Sequence, residues 1–101
     1  MCVIEKEDNS LYDRIIDYVV ENVDDLTREQ LTDRHVFPMP VYRYAIFDLL
    51  HNNGWSSMRI GRASGKNHAT VMHGLRTIHD LVSVKNDKAL FIVELLKGVK
   101  I

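Results

Sequence analysis

Apolar residues recur at helical spacing along most of this chain of 101 residues, and that period favours an all-α fold. The clearest set has spacings of 4, 3 and 4 and lies on one helix face: Val71, Leu75, Ile78 and Val82. A chain of this length forms one domain, because two separate hydrophobic cores need more residues. The sequence therefore predicts a small helical bundle over residues 10–101, preceded by a polar arm at 1–9.

Capping residues and helix breakers divide the chain into segments. Three residues favour helix starts as N-caps: Ser10, Ser56 and Asn67. Gly65 permits a tight turn, and two prolines within 35–40 predict an extended connector, with Pro40 in the first turn of the next helix. The predicted helices are 10–22, 40–52, 57–64, 68–83 and 87–98, and residues 24–34 are predicted to form a short helix or a helical turn.

The last predicted helix, 87–98, is apolar nearly all round, so it is either deeply buried or shared with a partner. Shared with a second copy, it would place three residues in a dimer interface: Phe91, Leu95 and Leu96. Trp55 is predicted to fill the core at the corner before the fourth helix. Three methionines are also predicted to fill the core: Met39, Met58 and Met72.

The formal net charge of −1 hides an uneven distribution of charge along the chain. Residues 1–33 hold ten acids and three bases, whereas residues 34–79 hold six bases, one acid and all five histidines. Residues 80–101 hold four bases and three acids. Such asymmetry indicates contact with nucleic acid through the middle segment, although small proteins without that function also carry blocks of charge.

Several classes of protein are excluded by what the sequence lacks. Cys2 is the one cysteine, so no intramolecular disulfide forms, and no apolar stretch approaches the roughly 18 residues of a membrane span. Early acids and the lack of an apolar stretch at the N-terminus argue against a signal peptide and predict a cytoplasmic protein. No glycine-rich nucleotide loop, catalytic constellation or zinc-ligand spacing is present, so we expect no enzyme, no cofactor and no metal.

Residues 55–79 carry the pattern most informative about function. They predict a short helix and a longer one joined by a very short glycine turn, the layout of a helix-turn-helix over 56–83. In that motif the second helix enters the major groove of DNA with its first residues near base edges. The residues there are small or polar, which suits close approach and hydrogen bonding: Lys66, Asn67, His68, Ala69 and Thr70. Helix pairs of this kind also occur in purely structural bundles.

The run 60–78, IGRASGKNHATVMHGLRTI, resembles the signature of the C-terminal DNA-binding domain (domain IV) of the bacterial replication initiator DnaA. The elements IG, G-x-x-H-x-T-V-x-H and R-x-I occur in the same order. The likeness is detailed over 55–79 and looser on either side, covering about three quarters of the chain. It implies a Trp-repressor-like helical fold and a stand-alone DNA-binding domain, of phage or mobile-element type, without the initiator's ATPase module.

The resemblance also implies which residues read DNA. The family's Asp-His-Thr-Thr at the start of the recognition helix corresponds to four residues here: Asn67, His68, Ala69 and Thr70. Two of the four differ, so the family's preferred DNA sequence is not carried over. A basic residue of the family's long helix reaches the minor groove, and the nearest match is Arg43, with Tyr42 in the other register.

Further cationic side chains extend this predicted DNA contact. Three arginines are predicted to contact phosphates: Arg59, Arg62 and Arg76. His73 is either structural or phosphate-facing, and the remaining histidines are predicted to be solvated: His35, His51 and His79.

The sequence thus predicts a protein that binds double-stranded DNA at specific sequences, as an accessory factor in replication or transcription. The alternative is a protein-interaction module that keeps the fold. Such a module would bind a second copy or a host replication protein through the acidic N-terminal segment or the apolar last helix.

Overall fold

The computed structural model describes residues 10–24, 26–33 and 39–99, and within these ranges it contains helices and no strand. The six helices are α1 (Ser10–Asn22), α2 (Arg28–Asp33), α3 (Met39–Asn52), α4 (Ser57–Ser64), α5 (His68–Ser83) and α6 (Asp87–Leu96). The predicted all-α fold is confirmed, and the predicted helix bounds agree within two residues except at the start of α2, which begins four residues later than the predicted segment 24–34. Pro40 lies in the first turn of α3 as predicted, and the helix begins one residue earlier, at Met39, which was predicted to belong to the extended connector. Residues 35–38 lie outside the described ranges.

The central helix is α3, which packs against α2, α4, α5 and α6. Its buried side chains lie on several sides rather than on one stripe: Val41, Tyr42, Ala45, Ile46, Phe47 and Leu50. Neighbouring helices add the rest of the core, including Ile15, Ile60, Val71 and Ile92, each with no exposed surface. Burial raises the pKa of the Tyr42 phenol, because its charged form would lie in apolar surroundings.

The predicted helix caps are confirmed in detail around α4 and α5. The Ser56 hydroxyl accepts a hydrogen bond from the Arg59 backbone N–H at 3.1 Å, and Asn67 Oδ1 accepts one from the Ala69 N–H at 2.7 Å. Gly65 ends α4 in the left-handed conformation, with φ of 70°. Trp55 is buried as predicted. Local chemistry therefore sets both ends of the connection between α4 and α5.

Two predictions about apolar side chains are wrong. Met58 and Met72 are 55% and 42% exposed, so they do not fill the core, although Met39 does pack against it. Of the residues predicted to form a dimer interface on α6, Leu96 is buried within the chain, because α6 turns Ala89, Ile92 and Leu96 toward the core. Phe91 remains 54% exposed.

The turn after α5 contains an unfavourable backbone conformation. Lys85 has a φ of 57°, while its N–H donates to the Val82 carbonyl and the Asn86 N–H donates to the Leu81 carbonyl. This hydrogen-bond pair ends helices on a left-handed residue, a conformation that glycine adopts without the penalty of a Cβ atom.

We expect Lys85→Gly to raise the free energy of unfolding by about 0.5–1 kcal/mol, since the left-handed penalty exceeds the added entropy of the unfolded chain. Urea denaturation monitored by circular dichroism measures the change. Lys97→Gly is the matched control, because Lys97 has a φ of −63° and offers no such relief. Equal destabilisation by both substitutions would contradict the interpretation.

Candidate nucleic-acid interface

The connection between α4 and α5 is a turn of three residues, 65–67. The Lys66 N–H donates to the Gly61 carbonyl oxygen at 3.0 Å, which folds the turn back onto α4. A Cβ atom on Gly61 would lie 2.8 Å from the Lys66 carbonyl oxygen. Because that neighbour is backbone, only glycine at position 61 permits this close approach. The resulting angle between the helices is fixed by the turn itself.

One side of α5 faces the core and fixes the orientation of the helix. Val71, Gly74 and Ile78 are buried, and Gly74 lies against the rings of Tyr44 and Phe47 on α3. The opposite side of α5, together with its first three residues, is left exposed to solvent.

That exposed surface brings together most of the residues predicted to contact DNA. Seven of them are exposed on α5, its N-cap or α4: Arg62, Asn67, His68, Ala69, Thr70, His73 and Arg76. Lys66 and Arg59 are half-buried. The first turn of α5 also carries backbone N–H groups without helical partners, whose dipoles favour anionic ligands.

Charge is unevenly distributed around this surface. Residues 49–79 contain no Asp or Glu, and they carry Arg59, Arg62, Lys66 and Arg76. The nearest acids along the chain are Asp48 and Asp80, and Asp48 Oδ1 lies 2.8 Å from His79 Nε2. On α1, by contrast, Asp13 and Asp17 pair with Arg28 of α2 at 2.7 and 3.2 Å. The run from α4 to His79 of α5 therefore carries basic residues without acids, whereas α1 and α2 together hold five acids and two bases.

Asn67 has a structural role that competes with base recognition. Its side-chain oxygen caps α5 through the Ala69 N–H. A bidentate contact with adenine uses that same oxygen together with the amide donors. The cap therefore leaves Asn67 its amide N–H groups as its means of contacting DNA.

Arg59 is held in a defined position at the start of α4. Its guanidinium lies over the ring of Trp55, 3.8 Å from the ring centre. Stacking of this kind holds a cation by attraction to the ring face. The buried Trp55 is thus both a core residue and the platform of Arg59.

The histidines have more contacts than the sequence indicated. His73 stands edge-on to the Tyr44 ring, with ring centres 5.9 Å apart, and its Nε2 lies 3.4 Å from the Thr77 hydroxyl. His51 and His79, predicted to be solvated, are exposed, yet each reaches another residue: His51 Nδ1 lies 3.0 Å from the Trp55 carbonyl, and His79 reaches Asp48. His35 lies outside the described residues.

Arg43 does not join the surface on which the other predicted residues lie. It is 8% exposed, and its Nη1 donates to the Leu31 carbonyl oxygen at 2.9 Å. Leu31 belongs to the last turn of α2, where helical carbonyls lack partners within the helix. Arg43 therefore connects α3 to the end of α2, which corrects its prediction as a minor-groove contact.

Comparison with known protein families, with curated proteins and with solved structures finds no match for this chain. No group of three His, Cys, Asp or Glu side chains converges as a metal site in the part of the chain that the structure describes. Among the same residues, no helix has both the length and the apolar character needed to cross a membrane.

Proposed function

We propose that this protein binds double-stranded DNA through α4 and α5, which act as a helix-turn-helix with α5 as the recognition helix. The observation that carries the proposal is the arrangement of α5. Three residues of turn follow a short helix, and then a 16-residue helix exposes its first three residues within an acid-free, basic run. With that combination the start of α5 can approach DNA closely, form hydrogen bonds with it and attract its phosphates.

Within this proposal the exposed residues divide between two kinds of contact. His68, Ala69 and Thr70 lie in the first turn of α5, the part of a recognition helix that meets base edges. The cations at the periphery suit the phosphates on either side of the groove: Arg59, Arg62, Lys66 and Arg76. His73, exposed one turn further along α5, is also assigned to a phosphate.

The resemblance of residues 60–78 to the DnaA C-terminal domain supports the same function and gives it a cellular context. We propose a stand-alone accessory factor in replication or transcription that binds DNA without hydrolysing nucleotide. The departures at Asn67 and Ala69 mean that its preferred DNA sequence differs from that of the family.

A salt titration of DNA binding tests the proposal. We expect fluorescence anisotropy with a labelled duplex pool to show binding that weakens steeply with salt, since each phosphate contact contributes about −0.9 to the slope of log K against log salt. Three or four contacting cations therefore predict a slope of about −3 to −4. Failure to bind any duplex at low salt would overturn the proposal.

Single substitutions separate base reading from phosphate attraction. We expect Arg62→Ala to weaken binding to all duplexes alike and to reduce the salt slope by about 1. His68→Ala should instead reduce discrimination between the preferred and a scrambled duplex by about 1–3 kcal/mol. Lys97→Ala removes an exposed cation from the region after α6 and is the matched control. A loss with Lys97→Ala equal to that with Arg62→Ala would indicate only general charge attraction.

One observation favours the second candidate function, a protein-interaction module. Leu90 and Phe91 of α6 are 38% and 54% exposed as adjacent apolar side chains. We expect light scattering to show self-association that Phe91→Ser abolishes if this surface binds a second copy. A monomer at all concentrations would exclude that version, and a dimer would predict a two-fold repeated DNA site.

A further inference from the structure

Met72 is an apolar side chain on the DNA-facing side proposed for α5. It follows His68 by one helical turn and precedes Arg76 by another, so these three residues form one edge of the helix. The side chain is 42% exposed. From the N-terminus of α5 onward, this edge therefore carries a polar residue (His68), an apolar residue (Met72) and a cation (Arg76).

The surroundings of Met72 are open. A recess of about 260 Å³ lies between the end of α3 and the middle of α5, lined by His51, Met72, Leu75, Arg76 and His79. The charged and titratable groups that line the recess come from both helices, with His51 on α3 and with Arg76 and His79 on α5. Met72 and Leu75 supply its apolar lining, and Met72 lies nearer the start of α5.

We infer that Met72 is a specificity-determining residue that contacts the 5-methyl group of a thymine in the major groove, an inference that rests on the proposed function. The thioether has no hydrogen-bond donor and is a weak acceptor, so it gains little from the polar edges of the other bases. The thymine methyl is the apolar group that the major groove offers. A flexible, unbranched side chain adapts to such a contact, while Arg76 one turn further reaches the adjacent phosphate.

Replacing thymine with deoxyuridine tests the inference, because the substitution deletes that methyl group and leaves base pairing unchanged. The probe is the tightest duplex recovered from a randomised pool, with each thymine replaced in turn and affinity measured by anisotropy. We expect one replacement to weaken binding of the wild type by about three- to fivefold, the effect of losing one buried methyl. The Met72→Ala variant should bind the thymine duplex and the deoxyuridine duplex with equal affinity. The Met72→Leu variant should keep the preference for thymine.

The matched control is Met58→Ala, which removes another exposed methionine, 55% exposed, from α4 and should leave the thymine preference intact. Ala69→Gly tests the methyl group of Ala69, which is also exposed near the start of α5. The inference is overturned if Met72→Ala keeps the thymine preference, or if Ala69→Gly alone removes it. It is also overturned if Met72→Ala weakens binding to the thymine duplex and to the deoxyuridine duplex by the same factor. In each of these cases the proposed function stands. A pool from which no duplex is retained overturns both.

Discussion

Replacing Gly74 with valine is expected to lower the free energy of unfolding by about 3 kcal/mol, because α5 then cannot pack against α3. A Cβ atom at this position would lie 2.5 Å from Cδ1 of Tyr44 and 3.1 Å from Cδ2 of Phe47. Valine adds two methyl groups beyond that atom, and Phe47 is fully enclosed by the core. Urea denaturation followed by circular dichroism measures the loss.

A double-mutant cycle identifies the cause of that destabilisation. Tyr44 is half-buried, so Tyr44→Ala removes the nearest obstructing ring while Phe47 stays in place. We expect valine at position 74 to cost at least about 1 kcal/mol less in the Tyr44→Ala background, since residues in contact are not additive. An equal cost in both backgrounds would show that the loss has another origin. Gly98→Ala, with Tyr18 as the neighbour, offers a comparison at a different contact.

Arg43→Met is expected to destabilise the fold by about 2 kcal/mol while leaving the DNA affinity of the folded protein unchanged. Methionine keeps much of the apolar length of the side chain but removes the hydrogen bond to the Leu31 carbonyl. That carbonyl then loses its partner at the end of α2. The fold loses the stabilisation that a buried hydrogen bond from a charged group provides. Thermal unfolding and anisotropy titration measure the two properties separately.

Arg76→Met is the control for Arg43→Met, because it makes the same chemical change at an exposed position of α5. We expect the opposite result there, with stability nearly unchanged and DNA binding weakened. If Arg43→Met weakened DNA binding of fully folded protein as strongly as Arg76→Met, the structural assignment of Arg43 would be wrong.

The helices and their caps were predictable because their causes are local. Ser56, Gly65 and Asn67 act on backbone groups within four residues, and the period of Val71, Leu75 and Ile78 sets the buried side of α5. The first three residues of α5 were therefore placed correctly as an exposed segment. This agreement concerns position and exposure, and the DNA contact itself stays a prediction.

The errors arose where the outcome depends on residues distant in sequence. Arg43 looks like a surface cation, but its partner is a carbonyl 12 residues away, at the end of a separate helix. Met58 and Met72 have apolar side chains, but they lie on the sides of α4 and α5 that no neighbouring helix covers in the described part of the chain. Periodicity indicates which side of a helix is apolar, and it does not indicate how far the neighbouring helices reach.

The stacking of Arg59 on Trp55 gives the protein a built-in optical probe. Trp55 is the only tryptophan in the chain, so all tryptophan fluorescence comes from this one indole ring. The Arg59 guanidinium lies 3.8 Å from the centre of that ring. A phosphate that binds the Arg59 guanidinium changes the electric field at the indole ring. Occupancy of the α4 end of the proposed interface is therefore measurable from the emission of the unlabelled protein.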